Sequence, residues 1–113
     1  MQKLALVGED EVCTSVIVAA ELRYGALRKG SERLTARLDA LLERLPVMAF
    51  EPPADAAYGR LRSVLEKSGV LIGGNDMLIA AHALSLDCVV VTDNEREFRR
   101  VDGLRVENWL RDG

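Results

Sequence analysis

Glu21, Asp76 and Asp93 are the residues of this chain with chemistry to offer, because each stands in or beside an apolar run. Asp76 follows Gly73-Gly74-Asn75, a turn with a natural helix cap, and leads into Met77-Leu78-Ile79-Ala80-Ala81-His82-Ala83-Leu84. Ile79 and Ala80, three and four residues on, share its face, and a helix apolar nearly all round is a buried one. A carboxylate there needs a cation, a donor set or a metal to compensate it, although taken alone it also suits the helix dipole. Glu21 has Ile17, Val18, Ala20 and Tyr24 as helical neighbours, so it too lies in an apolar face. The ordinary alternative is a half-buried salt bridge to Arg23 or Arg60. Asp93 comes directly after Cys88-Val89-Val90-Val91-Thr92, at the carboxyl end of a strand, where parallel α/β sheets bind ligands. Asp-Asn in that place is also common turn chemistry.

If the three converge at one sheet edge, their mutual repulsion favours a hard cation such as Mg²⁺ or Mn²⁺. Oxygen-only sites of that kind serve phosphoryl chemistry. No competing constellation is present. The single histidine, His82, lies six residues beyond Asp76, about 240° round a helix, so the two share no ligand face; it reads as a core or helix-edge residue. Arginines flank the acids: Arg23, Arg28 and Lys29 after Glu21, and Arg96, Arg99, Arg100 and Arg105 after Asp93. Solvated surface charge is the default for each, and bidentate contact with an RNA backbone is the alternative, with Arg23, Arg96 and Arg99 as its candidates. Exposed aromatics for base stacking look scarce.

The elements that must position these residues alternate between strand and helix. Met1 to Val7 reads as a helix end closed by Gly8, and Glu9-Asp10-Glu11 as a polar turn. Val12 to Thr14 is a strand, and Ser15 caps a helix over Val16 to Lys29. Ser31 caps the next, Glu32 to Leu45, whose Leu34, Leu38, Leu41, Leu42 and Leu45 form a stripe ended by Pro46. A strand over Val47 to Phe50, a helix from Pro52-Pro53 to Ser68, the Asp76 helix and the strand Cys88 to Thr92 follow. Glu95 to Arg100 is a short polar helix, Leu104 to Val106 a last strand, and Trp109-Leu110 a closing apolar tag. This is an α/β domain with a mostly parallel sheet.

At 113 residues the chain makes one domain, 1–113. Its 49% hydrophobic and 29% charged residues exclude a disordered tract. No apolar run spans a bilayer and no secretory signal opens the sequence, so a cytoplasmic protein with no membrane partner is expected. Cys13 and Cys88 read as buried thiols. The net charge of −3 means that any polyanion must be held by a local basic patch.

Taken together, Ala20-Glu21-Leu22-Arg23-Tyr24-Gly25, Gly74-Asn75-Asp76 with Ile79-Ala80-Ala81-His82-Ala83, Val91-Thr92-Asp93-Asn94 with Arg96-Glu97-Phe98, and Val106-Glu107-Asn108-Trp109-Leu110 resemble a PIN-domain toxin of the VapC type. The resemblance runs over nearly the whole chain in the family's order. It implies a PIN-like three-layer α/β/α fold and a Mg²⁺- or Mn²⁺-dependent ribonuclease. It also implies a homodimer, neutralised by a VapB-like antitoxin whose C-terminal segment lies across the active site. By the same carry-over Glu21, Asp76 and Asp93 match the second, third and fourth acidic positions, with Asn94 sharing the fourth. The family's opening strand, which ends in the first acidic residue and is central in its sheet, has no counterpart motif here. That absence leaves three expectations open: a start further upstream, a swapped or rearranged dimer, or a catalytically dead remnant that acts as an antitoxin-binding module.

Overall fold

The computed structural model describes residues 4–8, 12–92 and 94–108. Its elements are β1 (Leu4–Val7), β2 (Val12–Ser15), α1 (Val16–Lys29), α2 (Glu32–Arg44), β3 (Val47–Met48), α3 (Ala54–Ser68), α4 (Gly74–Leu86), β4 (Val89–Thr92), α5 (Glu95–Phe98) and β5 (Val106–Glu107). Local chemistry sets the helix ends. Ser15 Oγ accepts from the Ile17 N–H at 3.0 Å and Ser31 Oγ from the Leu34 N–H at 3.1 Å, capping α1 and α2. Gly30 and Gly69, both at positive φ, close α1 and α3, and Asp87 does the same for α4. The α4 cap is Gly73, with Asn75 already inside the helix and no side-chain capping bond.

The sheet order is β3-β2-β1-β4-β5. β3 runs parallel to β2 and β5 parallel to β4, while β1 lies between β2 and β4 and is antiparallel to both. Four strands therefore share one direction, as the α/β pattern predicts, and the central one is reversed. This corrects the reading of Met1 to Val7 as a helix end: residues 4–7 are a strand that fills the middle of the sheet. A four-residue apolar run fits a buried strand or a helix fragment equally by period. What decides between them is the backbone, because a vacant slot between β2 and β4 would leave two rows of amides unpaired. The predicted turn at Glu9-Asp10-Glu11 and the tag at Trp109-Leu110 fall outside the described residues.

Val90 and Val91, adjacent on β4, are both buried, so the sheet is covered on both faces. Leu6, Ile79, Val90 and Phe98 have no exposed surface and join Leu61, Leu65, Ala80 and Ala81 in one core. The leucine stripe of α2 packs on α1 but is only half covered, with Leu41 51% exposed.

Candidate active site

Asp76 of α4 and Glu97 of α5 are neighbours, and Glu21 of α1 lies within reach of their charge. Asp76 occupies the first turn of α4, held by the buried Met77, Ile79 and Ala80 that follow it. Its Oδ2 lies over Gly73, where an added Cβ would come within 3.7 Å. Burial pushes its carboxyl up to about 7, and Glu97 adds to the shift through a hydrogen bond and its charge, with the charge of Glu21 contributing less. Asp76 therefore faces two other carboxylates. The protonated form donates to Glu97, and both acids would repel if fully ionised.

Glu97 was not among the sequence-derived candidates. It lies on α5, which looked like a short polar helix, and the signal for it was its distance of three residues from Asn94. The structure supplies the missing constraint. Phe98 is fully buried and anchors α5, so its neighbour Glu97 is turned towards α4. Asn94 donates from Nδ2 to Glu97 Oε2 at 3.3 Å, and its backbone N–H donates to Thr92 Oγ1 at 2.9 Å. The loop that carries Asn94 is thus tied both to the end of β4 and to the acid. Asp93 lies outside the described residues.

Glu21 is half-buried on α1, and no ion pair among the described residues uses it. The alternative partner Arg23 instead pairs with Asp39 of α2 at 2.6 Å. Among the described residues no three His, Cys, Asp or Glu side chains close into a metal cage. The donors nearest one another are carboxylate oxygens with no cation paired to them among the described residues, and that chemistry fits a hard divalent cation rather than a soft one.

Of the arginines, Arg99 leans on Glu95 at 3.8 Å, Arg100 donates to the Leu71 carbonyl, and Arg105 pairs with Asp87 at 3.1 Å. Arg96 is exposed, and none of the hydrogen bonds or ion pairs among the described residues holds it. Aromatic exposure is not wholly absent either. Tyr24, one helical turn beyond Glu21, is 66% exposed.

Residues 2–104 match the PIN domain family. Ribonuclease VapC2 of Rickettsia felis is 41% identical over 105 residues, which cover 92% of this chain and 78% of that protein. The tRNA(fMet)-specific endonuclease VapC of Salmonella typhimurium is 39% identical, with 88% and 76% covered. The crystal structure of VapBC2 from Rickettsia felis, bound to a DNA fragment of its promoter, superposes with a TM-score of 0.82 at 43% identity, covering 86% of this chain and 74% of that one. Nucleases of this kind depend on a divalent metal, in keeping with the acidic, oxygen-only cluster. With the family model matching nearly the whole chain and relatives at about 40% identity over most of its length, the chain belongs to the PIN-domain family, in its VapC ribonuclease branch.

Proposed function

We propose that this chain is the toxin of a toxin–antitoxin pair, an endoribonuclease that hydrolyses RNA phosphodiester bonds with Mg²⁺ or Mn²⁺ at Glu21, Asp76 and Glu97. Asn94 joins them through Glu97, and Asp93, its neighbour in sequence, is the further candidate. The observation that supports this reading is the half-buried Asp76 in the first turn of α4, whose carboxyl is pushed up to about 7 by burial and by the neighbouring Glu97 and Glu21, so that it holds a proton near neutral pH. A dication in the proton's place would relieve the same repulsion.

Asp76, Glu97 and Glu21 would hold the ion. When bound, it supplies positive charge against the negative charge that develops on the phosphate. The protein's own part is positional. Asn94 holds Glu97 by its amide, and Arg96, exposed on the same short helix, is free to take a backbone phosphate. Arg23 and Arg99 are already engaged by Asp39 and Glu95, so they contribute less.

The groove between α1 and α2, about 510 Å³, has an apolar floor of Val16, Ala19, Ala20, Leu42 and Val47 and a charged rim of Arg23, Asp39 and Glu43, and it suits an amphipathic segment of a VapB-like antitoxin. A homodimer in the cytoplasm completes the reading. No helix among the described residues is long and apolar enough to cross a membrane, and Cys13 and Cys88 are both buried and form no disulfide.

The direct test is cleavage of tRNA by the purified chain with Mg²⁺, with Mn²⁺ and with EDTA. Turnover that persists in EDTA would overturn the reading. No cleavage under any condition, with antitoxin binding retained, would leave a binding module instead. Glu97→Gln keeps the shape but removes one acid, and kcat is expected to fall about a hundredfold or more. An unchanged rate would remove Glu97 from the site. Tyr24→Ala is expected to raise the KM for RNA about three- to tenfold, the range of one lost base-stacking contact, with kcat little changed. Tyr24→Phe should behave as the parent in the same assay.

A further inference from the structure

His82 is 1% exposed and takes no direct part in the chemistry described above. Its Nδ1 lies 2.7 Å from Ser15 Oγ, 67 residues away in sequence. Ser15 is fully buried, its oxygen accepts from the Ile17 N–H, and no hydrogen bond among the described residues gives its hydroxyl proton any acceptor other than the imidazole. That assigns Nδ1 as the acceptor and places the ring proton on Nε2. Nε2 makes no well-formed hydrogen bond, although the Ala49 backbone just beyond β3 acts on the ring. Burial holds the imidazole below its ordinary pKa, with Ala49 and the charge of Glu51 opposing, and Phe50 packs edge-on at 5.3 Å.

The placement of this bond is informative. Ser15 caps α1, and Glu21 lies six residues further along that helix. His82 lies on α4, and Asp76 is six residues back along it. Each carboxylate is therefore about 9 Å along its own helix axis from the bridge. Among the described residues this is the one side-chain hydrogen bond that ties the α1 cap to α4. A small rotation of either helix about this point displaces its carboxylate, and displacements near 1 Å are enough to cost about a hundredfold in rate.

We propose that the Ser15–His82 hydrogen bond is a positioning device that sets Glu21 of α1 against Asp76 of α4. It rests on reading those two acids as the metal-dependent site. His82 is then a positioning residue, and its effect should appear in metal binding and turnover separately from stability.

His82→Phe keeps an aromatic ring against Phe50 but cannot accept from Ser15. His82→Asn returns an acceptor oxygen near the Nδ1 position at the cost of ring packing. Three quantities distinguish them: thermal midpoint, kcat and KM on tRNA, and Mn²⁺ affinity of the RNA-free protein by calorimetry. For His82→Phe, kcat should fall about tenfold or more, Mn²⁺ should bind about fivefold more weakly, and KM should stay within about twofold. His82→Asn should recover most of both losses while melting no higher than His82→Phe. Losses that follow the melting temperature in both variants would overturn the proposal, as would parental Mn²⁺ binding and kcat in His82→Phe. Should His82→Phe not fold, ¹⁵N NMR of the parent decides. The expected signature is a protonated Nε2 and bare Nδ1, unchanged from pH 5.5 to 8, and a proton on Nδ1 overturns the assignment. A parent that neither binds Mn²⁺ nor cleaves RNA would instead count against the site itself.

Discussion

Asp76→Asn is expected to abolish RNA cleavage, by about three orders of magnitude or more, while leaving the folded chain at least as stable as its parent at neutral pH. Both halves come from one cause. The Asp76 carboxyl is raised from 3.8 to about 7, first by burial and then by Glu97 and Glu21. A raised value means that the folded chain keeps a proton that the unfolded chain releases between about pH 4 and 7. The stability associated with that proton is fully present below the unfolded value and is lost as pH rises through 7. Converted at about 1.36 kcal/mol per unit the loss would slightly exceed about 4 kcal/mol, but Asp76 is partly exposed and about 1–2 kcal/mol is the realistic size. Asn keeps the shape and has no proton to lose. Thermal melts of parent and variant should therefore agree near pH 4 and diverge by pH 8, where the variant melts higher. Saturating Mg²⁺ should reverse that order, since at about a hundredfold excess over Kd a ligand adds about 2.7 kcal/mol to the parent alone. A variant that cleaves RNA at the parental rate would remove Asp76 from the reaction. Melts that stay parallel across pH would mean that neither burial nor the neighbouring acids hold a proton on Asp76.

Much of this site was legible because its helices announce themselves. Ser15, Gly30 and the apolar pattern between them give α1 its observed ends, Val16 and Lys29, despite Gly25 in its interior. The run after Gly73 gives α4, and the stranding of Asp76 and Glu21 in apolar faces is a statement about charge and burial that needs no coordinates. Glu97 was not legible for a related reason. A four-residue helix has too few positions to show a period, so which side faces inward is decided by Phe98 and by packing against α4. Tyr24 departs in the other direction: the apolar face that holds Ile17 and Val18 around Glu21 is expected to carry it as well and exposed aromatics to be scarce, yet α1 presents it to solvent. β1 was misjudged because pairing across a sheet is a property of its neighbours. Nothing in Leu4-Ala5-Leu6-Val7 says that β2 and β4 leave a slot between them.

The reversed strand makes the second large prediction. Leu6 has no exposed surface, opposes Cys13 on β2 and Val90 on β4, and belongs to the main core. Leu6→Ala is expected to cost about 2–5 kcal/mol, the range for deleting a buried leucine side chain. For a domain of this size that is a large share of a total of about 5–15 kcal/mol. Val12→Ala, at a position 39% exposed on β2, should cost about 1 kcal/mol or less and serves as the control. Urea unfolding of the two variants separates a central strand from a surface helix end, because in the latter case the two costs would be alike. The consequence reaches the site as well. β1 pairs with β4 up to Thr92, whose hydroxyl accepts from Asn94, and Asn94 in turn holds Glu97. A cavity at Leu6 loosens the strand at the root of that chain, so the variant should lose kcat even at temperatures where it remains folded. Full activity in a folded Leu6→Ala protein would show instead that the acids are positioned by α1, α4 and α5 without help from the centre of the sheet.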